Sequence, residues 1–98
     1  MKKYKIIVLD SAFEDLEKIH GTSYVSKIVK RLLNEIFSLD IFPFASPIYC
    51  ITSEYIVRKK IVDKRYLIIF TIIQNYVLVY NIIDGRKNIN PTDLFKTN

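Results

Sequence analysis

An α+β fold is predicted by three observations. Residues 4–9 form a β-branched run, residues 24–40 carry one long apolar stripe at helical spacing, and three apolar segments at 54–62, 65–73 and 76–83 are joined by two-residue turns. The predicted architecture is an N-terminal strand, an antiparallel helical hairpin, a three-strand antiparallel meander and a short C-terminal helix.

The first element, Tyr4 to Leu9, reads as a strand because β-branched residues dominate it and Asp10 ends it. Ser11-Ala12-Phe13-Glu14 has the form of a capping box, in which the Ser11 hydroxyl accepts from the Glu14 amide and the Glu14 carboxylate reaches back. Phe13, Leu16, Ile19 and His20 follow at helical spacing, and Gly21 is a natural stop, so a helix is predicted over 12–20. Thr22-Ser23 opens a second helix over 24–40. Its stripe is Val25, Ile28, Val29, Leu32, Leu33, Ile36 and Leu39; Lys27, Lys30, Arg31, Asn34 and Glu35 face the other way. The short join between the helices fits an antiparallel hairpin.

Residues 41–52 read as a surface loop, because Pro43 and Pro47 remove donors and disfavour helix before them. Asp63-Lys64 and Gln74-Asn75 are the tight turns of the meander, and Asp84-Gly85 ends its last strand. In the tail, Asn90 can cap and Pro91 can start a short helix over 91–96. The 98 residues show no repeat or linker and are expected to form one domain.

Composition narrows the function classes. One cysteine, Cys50, excludes an intrachain disulfide. The apolar runs are far shorter than a membrane span and the basic start lacks the apolar core of a signal peptide, so a cytoplasmic location is expected. The net charge of +5 favours a polyanionic partner, either nucleic acid or an acidic protein segment. His20 is the only histidine and suits a helix C-terminus. The carboxylates are scattered and there are only two glycines. No metal site, cofactor loop or nucleophilic triad is therefore expected. Any catalysis would use Lys, Arg and Tyr.

Strand alternation places Arg58 and Lys60 on one face and Lys59 on the other. Lys64 and Arg65 follow at the turn, and Arg86 and Lys87 come just past the last strand. Two readings stand side by side. One is a cationic sheet surface, away from the helices, that grips phosphates; the other is an edge strand protected by lysines. For RNA cleavage, cations could stabilise the phosphorane, and a lysine crowded by other cations could act as the base.

The segments Tyr55-Ile56-Val57-Arg58-Lys59-Lys60-Ile61, Arg65-Tyr66-Leu67-Ile68-Ile69-Phe70 and Val77 to Lys87 together resemble the C-terminal half of RelE/ParE toxins. In that family a basic strand precedes a tyrosine-led apolar strand, and a third strand ends in a basic motif near a glycine. The preceding strand and helical hairpin match the same fold. The resemblance implies a toxin of a two-gene toxin–antitoxin system, with an antitoxin protein as partner. It also implies either ribosome-dependent messenger RNA cleavage (the RelE branch) or binding to DNA gyrase (the ParE branch); a third reading is a degenerate toxin that only binds its antitoxin. Under the first, Arg58, Lys60, Arg65, Arg86 and Lys87 are the candidate catalytic residues. Two departures from the RelE pattern are visible: Leu67 stands where an arginine usually follows the strand tyrosine, and the tail has Asp93, Leu94 and Phe95 but no tyrosine. The exposed side of the second helix and the Phe42–Tyr49 loop are candidate antitoxin contacts, although Phe42, Phe44 and Tyr49 could equally be core lids.

Overall fold

Every strand except the first reaches its neighbour through a short connection, and that decides the topology. In the computed structural model, residues 3–20 and 25–85 are described. They form β1 (Lys5–Val8), α1 (Asp10–His20), α2 (Val25–Phe37), two 3-10 turns (Ser38–Asp40 and Pro43–Ala45), β2 (Ile48–Ile51), β3 (Ile56–Val62), β4 (Tyr66–Ile73) and β5 (Tyr76–Asp84). The single sheet has the order β1-β5-β4-β3-β2. β2 through β5 are antiparallel neighbours, whereas β1 runs parallel to β5, with Lys5 opposite Tyr76 and Val8 opposite Val79.

The α+β class and the three-strand meander are as the sequence predicts. The 41–52 loop is not: Ile48–Ile51 forms a strand that pairs with β3, making the sheet five-stranded. The prolines confine this strand rather than forbid it, since Pro43 starts a 3-10 turn and Pro47 immediately precedes the strand. The tail helix predicted over 91–96 lies outside the described residues.

Both helices pack apolar side chains into one core, while Phe13 of α1 stays 49% exposed. Ala12 and Leu16 of α1 and Leu32 and Ile36 of α2 meet Val62, Tyr66, Ile68, Phe70, Val77, Val79 and Ile82 of the sheet. On the opposite face, by alternation, Val57, Ile69 and Ile83 form a smaller cluster with Tyr49, Cys50 and Leu67. α2 stops at Phe37 and tightens into the first 3-10 turn, which still buries Leu39, so the stripe predicted over 24–40 is continued by a different helix type.

The start of α1 differs from the capping-box expectation. The amides of Ala12 and Phe13 donate to the Leu9 carbonyl at 3.0 and 3.2 Å, and the Ser11 hydroxyl donates to the Tyr80 carbonyl. The reason lies in the sheet. β1 ends opposite Val79, so the outer edge of β5 beyond that point needs other partners. α1 supplies them. Ser11 satisfies Tyr80, while the Asp15 carboxylate accepts from the Ile82 amide at 2.9 Å and from Asn81 Nδ2 at 3.1 Å. A bulge at the same place shifts the β4–β5 register, with Phe70 opposite Val79 and Ile69 opposite Asn81.

The β3–β4 turn holds Asp63 at φ 53° and Lys64 at φ 56°, and the Arg65 amide donates back to Val62 at 3.1 Å. This is the type I′ geometry that suits the twist of an antiparallel pair. Among the described residues, no helix is long and apolar enough to cross a membrane.

Candidate functional site

β3 brings Arg58 and Lys60 to one face, as alternation requires. That face is the helix side of the sheet, because Val62 shares their parity and packs with the helices. The expected surface away from the helices is therefore corrected. On β3, the far face carries Val57 in its cluster and Lys59, whose ammonium lies 5.8 Å from the Tyr49 ring centre.

Each described candidate cation has partners. Lys60 Nζ lies 2.9 Å from Glu35 Oε2 and donates to Ser38 Oγ at 2.8 Å, joining β3 to the end of α2. Arg58 Nη1 donates to the Ser46 carbonyl at 2.7 Å and, more weakly, to that of Phe44 at 3.4 Å; its guanidinium lies over the Phe44 ring, 5.2 Å from the centre. Arg65 sits 4.8 Å over its neighbour Tyr66 and donates from Nη2 and Nε to Asp84 Oδ2 at 3.1 and 3.3 Å. Among the described residues, Arg58 alone of these three has no carboxylate within ion-pair distance.

The candidates do not form one tight cluster. Arg58 lies near the start of β3 and Arg65 beyond its far end. At roughly 3.3 Å per residue, the stretch from Arg58 to Val62 alone spans about 13 Å. The Gly85 amide donates to the Arg65 carbonyl, so the described chain ends beside Arg65. Arg86 and Lys87 lie outside the described residues.

A second ionic tie runs parallel to the first. Arg31 Nε donates to Asp63 Oδ1 at 2.8 Å and its Nη1 lies 3.8 Å from Glu35. The Asp63 hydrogen bond and charge hold the Arg31 guanidinium more firmly protonated than usual. Burial pushes the Tyr49 and Tyr80 phenols and the Cys50 thiol up, away from the range where they would serve as bases or nucleophiles at neutral pH. No three His, Cys, Asp or Glu side chains come together as a metal site among the described residues.

The loop aromatics divide. Phe42 and Phe44 are 67% and 57% exposed and so are not core lids, whereas Tyr49 is half-buried against the smaller cluster. Sequence reasoning missed Glu35 and Ser38 as partners of Lys60. The one available hint was Glu35 four residues after Arg31, an ion-pair spacing on the polar face of α2.

Among solved structures, the fold matches a chain of the toxin–antitoxin complex RelBE2 from Mycobacterium tuberculosis. The TM-score is 0.68 at 15% identity, over 86% of this chain and 93% of that one. No family model matches the sequence. No curated protein matches it significantly.

Proposed function

We propose that this chain, which has the RelE-type fold, is the toxin of a toxin–antitoxin pair and acts on messenger RNA at the ribosome. One observation carries the RNA reading. Arg58 holds a half-buried positive charge against neutral carbonyls and a ring, with no carboxylate partner among the described residues. Only its Nη1 is engaged there, which leaves the Nε–Nη2 edge to meet a phosphate in the two-pronged geometry that guanidinium favours. Lys60 lies two residues along on the same face and adds a second cation, whose carboxylate partner Glu35 is shared with Arg31.

In such a reaction the 2′-hydroxyl oxygen attacks the adjacent phosphorus and gives its proton to a base. The bond to the 5′-oxygen breaks, and that oxygen receives a proton. Cations stabilise the charge that builds on the phosphorane oxygens. Arg58 and Lys60 fit that last task. Arg65, Arg86 and Lys87 are the further candidates for holding the strand. An antitoxin protein would neutralise the toxin by covering this basic face.

A second reading, binding to DNA gyrase without catalysis, is favoured by a separate observation. Lys60 and Arg65 are both engaged by carboxylates, and Leu67 stands where the RelE pattern has an arginine. The deciding experiment adds purified protein to ribosomes stalled with an empty A site and reads the messenger by primer extension. Cuts at the A-site codon that vanish on Arg58→Ala with Lys60→Ala are the expected result. An intact messenger, from protein that still arrests growth, would overturn the RNA reading and favour gyrase.

A further inference from the structure

We infer that Phe42, the residue that opens the 3-10 turn at Pro43–Ala45 whose Phe44 carbonyl and ring Arg58 contacts, is a stacking platform for an unpaired base of RNA. This rests on the RNA reading above and extends it to residues outside the basic strand. The turn is well anchored. Pro43 is buried, the Ala45 amide donates to the Phe42 carbonyl at 3.2 Å, and the Ser46 amide donates to Pro43 at 3.3 Å. Arg58 clamps the same turn through the carbonyls of Phe44 and Ser46.

The two phenylalanines have different surroundings. Phe44 is already engaged, by the Arg58 guanidinium and by a T-shaped contact with the Tyr4 ring at 6.1 Å and 72°. Phe42 is 67% exposed, and no ring contact is formed by it among the described residues. A single exposed apolar side chain is ordinary on a protein surface. Here the exposed ring stands on an anchored turn that is held through its carbonyls by Arg58, a cation with no carboxylate partner among the described residues. An aromatic face beside a cation is the pairing that single-stranded nucleic acid uses, with base on ring and phosphate on guanidinium. An acidic protein segment would meet the same charge but has no particular need of the ring face.

The test is fluorescence anisotropy with a short labelled single-stranded oligoribonucleotide, and with the same sequence as a duplex, across a salt series. Phe42→Ala is expected to weaken single-strand binding by roughly tenfold and to leave duplex binding and the salt slope unchanged. Phe42→Trp is expected to retain binding, and thermal melts of both variants check the fold. Arg58→Ala with Lys60→Ala is expected to weaken both ligands and flatten the salt slope. Single-strand binding unaltered by Phe42→Ala would overturn the stacking role. If the cation variant still lost affinity, the RNA reading would stand and Phe42 would pass to a protein partner. Failure of the unaltered protein to bind either RNA at low salt would overturn the platform together with the RNA reading.

Discussion

The Lys60 ammonium and the Glu35 carboxylate meet at 2.9 Å across the gap between β3 and α2, each with little more than a quarter of its side chain exposed. The pair therefore ties helix to sheet at the place where the candidate site begins. A double-mutant cycle with Glu35→Gln and Lys60→Met, followed by urea denaturation, is expected to give a coupling energy of about 0.5–1 kcal/mol. A coupling near zero would mean that the contact is made without contributing to stability.

Asp15 is expected to matter more than its place on a helix surface suggests. It accepts from the Ile82 amide and Asn81 at the bulged edge of β5. Asp15→Ala strands a part-buried backbone donor, which costs about 1–3 kcal/mol. The midpoint of chemical denaturation should fall accordingly, and hydrogen exchange at Ile82 should accelerate.

Lys64→Gly should stabilise the protein. Lys64 sits at φ 56°, where a side chain is disfavoured, and no ion pair is made by it among the described residues. A gain of up to about 1 kcal/mol is expected in the denaturation midpoint. The neighbouring Asp63→Gly should not gain in the same way, because it removes the 2.8 Å bond to Arg31.

Gly85→Ala should destabilise. A Cβ there would stand 2.7 Å from the Arg65 carbonyl oxygen, which also accepts from the Gly85 amide. Backbone on both sides must shift, at a cost of about 1–3 kcal/mol. A lowered melting temperature is the expected reading.

Alkaline pH should weaken the fold. Burial raises the Cys50 thiol and the Tyr49 and Tyr80 phenols above their ordinary values of 9.0 and 10.0. Above those ordinary values the unfolded chain has lost protons that the folded chain keeps, so stability falls as pH rises. Denaturation midpoints should be insensitive to these groups near neutrality and decline from about pH 9 upward. Tyr80→Phe should remove part of the decline.

The meander was legible because its signals are local. Two-residue turns at Asp63-Lys64 and Gln74-Asn75 leave adjacent strands little choice but to pair. β2 was not legible: four residues behind a proline carry a weak strand signal, and only the neighbouring β3 completes them. The capping box failed for a similar reason, since Ser11 found a partner 69 residues away. Alternation correctly grouped Arg58 with Lys60. Which face they occupy depended on Val62 and the helices, a tertiary matter that no window of sequence contains. Of the five candidate site residues, the structure describes Arg58, Lys60 and Arg65, and it ties each to partners that charge alone did not suggest.

The parallel pairing of β1 with β5 has a consequence for how the chain comes into being. Among the described strands, β1 has no place in the sheet until β5 is made. During synthesis β1 and the amphipathic helices emerge first, and their apolar faces wait for the meander strands that they pack against. Closure then joins residues 5–8 to residues 76–79 in a late, long-range step, which slows folding and lengthens the time that sticky surface is exposed. Refolding should therefore be slower than in helical domains of similar size, and a newly made chain should benefit from a chaperone or a partner already present to receive it.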